Sequence, residues 1–133
     1  MKSTIKSIFA VSFALLVYAC GTSSSSKSEA LSPPEFAEKL KSNNEIILLD
    51  VRSPEEIEAG FIEGAENLNY NDEAFSGSLD NLDHSKIYFV YCASGKRSGK
   101  ASELMKEKGF TSVTTLEGGF NAWKANELPV KTK

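Results

Sequence analysis

Val90-Tyr91-Cys92-Ala93-Ser94-Gly95-Lys96-Arg97-Ser98-Gly99 is the stretch from which the fold and the chemistry of this 133-residue chain are read. Ile87 to Tyr91 is an unbroken apolar and aromatic run, the mark of a strand buried on both faces. It stops at a cysteine. A short polar loop with Gly95 and two cations follows. The spacing of Ala101, Leu104 and Met105 then predicts a helix from Arg97 to Lys108. A cysteine at such a strand–loop–helix junction faces free backbone N–H groups and the positive end of the helix dipole. Lys96 and Arg97 add charge of the same sign. These conditions favour the thiolate, the nucleophilic form of the side chain. The same loop geometry cradles an anion. Cys92 is thus the candidate nucleophile, with Ala93, Ser94, Gly95, Lys96, Arg97 and Ser98 as its anion-binding surround. A buried structural cysteine is the competing reading. It leaves the crowding of Gly, Lys and Arg into one turn unexplained.

Upstream, Glu45-Ile46-Ile47-Leu48-Leu49-Asp50 is a second continuous apolar run and a second buried strand. It leads into Asp50-Val51-Arg52-Ser53-Pro54-Glu55-Glu56, where Ser53, Pro54 and Glu56 form a helix-start device. Ser32-Pro33-Pro34-Glu35 is the same device ahead of Phe36, Ala37 and Leu40, and Asn43-Asn44 closes that helix. Asp50 and Arg52 fall at the C-terminal end of the strand, the edge where open α/β sheets place their sites. Two readings stand for them. They brace the mouth of the Cys92 loop, or they form a local ion pair that shapes the strand–helix turn.

Short strands are expected at Ala30-Leu31, from Gly64-Ala65 to Leu68, and from Ser112 to Leu116. A short helix is expected within the polar segment from Asn69 to His84, and His84 reads as a surface loop residue. Gly109 stands where a helix C-terminus needs it, with Phe110 beyond to pack back. Gly118-Gly119 permits close approach to the cysteine loop, a plain turn being the alternative. Trp123 reads as core. Alternating strands and helices in one short chain imply an α/β fold with a parallel sheet.

Three separated motifs, in order, resemble the rhodanese family of sulfurtransferases. They are Asp50-Val51-Arg52 with Gly60-Phe61-Ile62-Glu63-Gly64-Ala65-Glu66-Asn67, then Cys92-x-x-Gly95-x-Arg97-Ser98, then Gly118-Gly119-Phe120-Asn121-Ala122-Trp123 followed by Leu128-Pro129-Val130. Phe61 replaces the histidine usual in the family. The resemblance spans residues 31–130. It implies a single rhodanese domain, with a parallel sheet of about five strands flanked by helices and Cys92 at the strand ends. It further implies transfer of sulfane sulfur through a Cys92 persulfide, from a small anionic donor such as thiosulfate to a thiol or cyanide. Arg97 and Lys96 would draw in the donor. A protein sulfur acceptor is a further partner this reading admits. No metal or organic cofactor is implied. A non-catalytic binding or persulfide-carrier module is the alternative. A phosphatase or arsenate reductase is a third reading, disfavoured because cysteine phosphatases have one residue more between cysteine and arginine.

The N-terminus reads differently. Lys2 and Lys6 precede an apolar stretch from Ile8 to Ala19 that is short for a membrane span and fits a secretory signal. It ends in Val17-Tyr18-Ala19-Cys20, which resembles the bacterial lipoprotein lipobox. That resemblance implies a signal peptide over residues 1–19, lipidation of Cys20, a Ser-rich tether over 20–29, and a folded domain over 30–133. The expected location is the bacterial cell envelope, lipid-anchored on the periplasmic side or at the outer membrane. With Cys20 acylated, Cys92 is the sole thiol and forms no internal disulfide. A net charge of −3 without a basic run argues against nucleic acid, and a lone His84 leaves no zinc site to suggest.

Overall fold

The computed structural model describes residues 28–133. The elements are β1 (Glu29–Leu31), α1 (Pro33–Ser42), β2 (Ile46–Asp50), α2 (Pro54–Glu58), β3 (Glu66–Asn67), α3 (Phe75–Asp80), β4 (Ile87–Tyr91), α4 (Lys96–Glu107), β5 (Ser112–Leu116) and α5 (Gly119–Ala125). The five strands form one sheet in the order β1-β5-β4-β2-β3. Every pairing is parallel. The chain is an α/β domain, as the alternating pattern predicts. β4 lies in the middle, in register with β2 from Ile46 beside Ile87 to Asp50 beside Tyr91. Its central place explains why Ile87 to Tyr91 is apolar at consecutive positions.

Alternate residues of β4 supply two cores, one on each face. Tyr88 and Val90 join Leu49, Phe75, Leu79, Ala101, Met105 and Phe110, which puts α3 and α4 over one face. Phe89 and Tyr91 join Phe36, Ala37, Leu116, Phe120 and Trp123, which puts α1 and α5 over the other. Trp123 is core, and its indole N–H donates to the Pro129 carbonyl at 2.9 Å.

The helix starts are built as their sequences suggest. The Ser32 amide donates to the Glu35 carboxylate at 3.2 Å. The Ser53 amide donates to Glu56 at 2.9 Å. At the end of α4, Gly109 takes φ +96°. The Phe110 amide reaches back to the Met105 carbonyl and the Gly109 amide to that of Lys106, each at 3.0 Å. That double closure satisfies carbonyls the helix would otherwise leave open.

Several boundaries differ from the expectations. β1 includes Glu29, because its pairing with Thr114 of β5 begins there. β3 shrinks to Glu66–Asn67, since only two residues find partners on β2. His84 is half-buried rather than a free loop residue. Its ring stacks on Phe110 at 4.1 Å, and Nε2 lies 3.2 Å from the Leu79 carbonyl. Cys20 and the proposed signal and tether lie outside the described residues, apart from the tether's last two positions. Among the described residues, no helix is long and apolar enough to cross a membrane.

Candidate active site

Cys92 follows β4 directly and opens the loop that turns into α4. Gly95 caps that helix with φ +97°, a left-handed conformation that glycine adopts without strain. This turn folds the loop back over the sulfur. The Gly95 amide donates to Cys92 Sγ at 3.1 Å. The Ser98 hydroxyl lies 3.4 Å from Sγ and 3.2 Å from the Gly95 carbonyl. The side chain has no exposed surface. It therefore has an apolar floor, shared with Val90 and Ala101, and a polar roof.

Those surroundings act on the thiol in opposite directions. Burial, the largest single influence, pushes its pKa up. Hydrogen bonds from the Ser98 side chain and from the amides of Ser98, Gly95 and Ser94 pull it down, and together they win. The thiol thus ends below its ordinary value. Amides aimed at a sulfur stabilise the thiolate over the thiol.

Gly118 and Gly119 make a close approach, as one of the two sequence readings has it. Gly119 takes φ +62°, and a Cβ there would stand 2.5 Å from the Cys92 carbonyl oxygen. The Phe120 amide donates to that oxygen at 2.7 Å, and the Asn121 amide to the Ala93 carbonyl at 3.0 Å. The start of α5 thus locks the outer side of the cysteine loop.

Asp50 and Arg52 form a local, buried ion pair. Arg52 Nη2 donates to Asp50 Oδ2 at 2.6 Å and to the Gly60 carbonyl at 2.8 Å. The guanidinium lies over the Phe120 ring at 4.2 Å. The Asn67 amide group donates to the Asp50 and Arg52 carbonyls, each at 2.9 Å. These contacts tie the turn after β2 to residues 60 and 67, and the bonds of the pair itself run there rather than to residues 93–98.

Lys96 is exposed on the first turn of α4. Arg97 is engaged. Its Nη1 and Nη2 donate to Glu56 Oε2 and Oε1, both at 2.8 Å. Side-chain exposure is 24 % for Arg97 and 34 % for Glu56. The bond to Arg97 is the main influence that holds the Glu56 carboxyl at about 2, and Glu56 in turn raises Arg97. Sequence reasoning gave Glu56 only a capping role. The only signal was positional: the turn after β2 opens at the same sheet edge as the Cys92 loop.

The family model described as "Rhodanese-like domain" matches residues 32–126. Among curated proteins, the chain is similar to thiosulfate sulfurtransferase 16, chloroplastic, of Arabidopsis thaliana. They are 40 % identical over 93 residues, which cover 62 % of this chain and 78 % of that protein. It is also similar to thiosulfate sulfurtransferase GlpE of Pseudomonas putida, 31 % identical over 100 residues that cover 75 % and 88 %. The crystal structure of a rhodanese-related protein from Thermoplasma volcanium superposes with a TM-score of 0.70 at 28 % identity, covering 79 % of this chain and 99 % of that one. A parallel sheet with a cysteine loop at its C-terminal edge, a matching family model over most of the chain and relatives named as sulfurtransferases agree, and the chain belongs to the family of rhodanese-like domains.

Proposed function

We propose that the protein transfers sulfane sulfur by way of a persulfide on Cys92. The observation that carries this reading is the convergence of the Gly95 amide and the Ser98 hydroxyl on a thiol whose pKa is lowered despite burial. In the first half-reaction the Cys92 thiolate attacks the outer sulfur of the donor. A Cys92–sulfur bond forms and the donor's own bond to that sulfur breaks. With thiosulfate, sulfite leaves with the electron pair. The terminal sulfur then carries the negative charge, in a loop whose amides of Ser94, Gly95 and Ser98 already stabilise an anion. In the second half-reaction a thiolate or cyanide attacks that sulfur, and the Cys92 thiolate is regenerated. Ping-pong kinetics follow from this order. The thiol is covered at rest, so delivery needs the 93–98 loop to part from it. Lipidation at Cys20 and an envelope location complete the proposal.

Mass spectrometry after incubation with thiosulfate tests the reading. The expected result is a gain of one sulfur atom on Cys92, lost on addition of cyanide and absent in Cys92→Ser. A folded protein that gains no sulfur from thiosulfate or from an alkyl persulfide rules the transferase out.

A further inference from the structure

The family resemblance implies that Arg97 draws in the anionic donor, and the structure gives it to Glu56. Both terminal nitrogens of the guanidinium donate to the two carboxylate oxygens at 2.8 Å, across 41 positions of sequence. Capping does not require this. The Ser53 amide already bonds to Glu56 Oε2 at 2.9 Å and the Glu56 amide to Ser53 Oγ at 3.4 Å, and these two bonds complete the start of α2. The pair therefore serves the place where it lies, between the turn after β2 and the loop that holds Cys92. Arg52 is likewise cancelled by Asp50, at 2.6 Å. The two guanidinium groups at this sheet edge each carry a matched carboxylate, while the nucleophile is itself an anion when active.

We infer that Glu56 is a specificity-determining residue of the sulfur-transfer site, acting through Arg97 to select singly charged sulfane donors over doubly charged ones. The inference rests on the transferase reading. Thiosulfate brings two negative charges towards a thiolate, and sulfite leaves with two. A thiosulfonate or an alkyl persulfide brings one and leaves with one. With Arg97 neutralised, each extra charge on the donor meets the thiolate with only Lys96, exposed to water and its screening, to offset it. Glu56 does not touch the reacting atoms and is a positioning residue in this sense.

Two donors of nearly the same shape isolate the charge: thiosulfate and methanethiosulfonate, in which a methyl group replaces one oxygen. In both, Cys92 bonds to the outer sulfur and the sulfur–sulfonyl bond breaks. The electron pair departs on sulfite or on methanesulfinate. Steady-state kcat/KM for each donor is measured with the full chain, the Glu56→Gln variant and the Glu56→Asp variant, at low and at high salt. Glutamine keeps an oxygen for the Ser53 amide, so the start of α2 survives, while the charge and one of the two bonds to Arg97 are lost. The thiosulfate-to-methanethiosulfonate ratio is expected to rise about threefold to tenfold in Glu56→Gln, mostly through a lower KM for thiosulfate, as one charge removed at this range implies. High salt shrinks the rise. Glu56→Asp, which keeps the charge, stays near the parent ratio. An unmoved or lowered ratio in Glu56→Gln overturns the inference, as does an equal rise in Glu56→Asp, which would trace the effect to geometry. If neither donor loads Cys92 in the parent protein, the transferase reading itself fails, and this inference with it.

Discussion

Gly119→Ala tests how tightly α5 and the cysteine loop are joined. A methyl group at this position would sit 2.5 Å from the Cys92 carbonyl oxygen and 2.6 Å from both the carbonyl carbon and oxygen of Ala93. These are backbone atoms and cannot rotate away as a flexible side chain would. Alanine at φ +62° also carries left-handed strain of about 1–2 kcal/mol. Relief of the clash requires the start of α5 to withdraw. That stretches the bonds from the Phe120 amide to the Cys92 carbonyl and from the Asn121 amide to that of Ala93, worth about 1 kcal/mol each. With overpacking included, the cost is about 3–5 kcal/mol. Gly64→Ala is the control. Gly64 has φ +86° and no atom within 4 Å of an added Cβ, so it carries the strain alone, about 1–2 kcal/mol. Urea unfolding of both variants gives the two costs. Persulfide formation per folded molecule, read by mass spectrometry, reports on the loop. Gly119→Ala should lose about 2–3 kcal/mol more than the strain-only Gly64→Ala and should load sulfur poorly even where folded. Equal destabilisation of the two variants, with normal loading, would refute the claim that the helix start positions the cysteine loop.

Three further outcomes are expected. The rate of Cys92 alkylation by iodoacetamide should rise with pH through a midpoint below the usual thiol value of about 8.5, and Ser98→Ala, which removes a donor to the thiolate, should move that midpoint up. An unmoved midpoint removes the Ser98 hydroxyl from the set. The Glu56 carboxyl is depressed from 4.5 to about 2, so its contribution to stability is complete above pH 4.5 and is lost as pH falls through 2. With a third of the side chain in water that contribution is about 1 kcal/mol, so Arg97→Met should cost this much at neutral pH and progressively less below pH 4.5, followed by chemical unfolding at each pH. A gap that persists unchanged at pH 2 would mean that the pair does not stabilise the fold. Arg52→Leu leaves the Asp50 carboxylate buried without its cation and should cost about 3–5 kcal/mol in urea unfolding, whereas a loss below about 1 kcal/mol would show that the pair does not hold the turn after β2.

The sheet was legible because its central strands are buried on both faces. Ile46 to Asp50 and Ile87 to Tyr91 need no partner information to be read, and the glycine at position 109 marks a helix end through a φ that only glycine takes freely. The placement of Cys92 at a strand–loop–helix junction also followed from local pattern, but its complete burial did not. Nor did long-range pairing. A strand was expected from Gly64-Ala65 to Leu68 and β3 falls inside it, but its two-residue extent, Glu66–Asn67, is set by which residues find partners on β2. Arg97 carries no mark of the carboxylate it meets, since Glu56 satisfies a local capping pattern equally well. His84 reads as a polar loop residue until the Schellman-type turn after α4 brings Phe110 against its ring. In each case the missing information is a contact made by a distant segment, and periodicity is blind to it.

Because β1 runs parallel to β5, and β5 to β4, the chain enters the sheet at Glu29 heading towards the strand ends that carry the thiol, and Glu29 stands level with Thr114 and, through it, with Phe89. Three residues of strand, about 10 Å, separate that level from Cys92 along this direction. Residue 28 lies one step further towards the strand starts, whereas the Cys92 loop lies beyond the strand ends. A surface gripping the protein from the side of the strand starts would present the sulfur-bearing loop outward, where donors and acceptors arriving from solution meet it first.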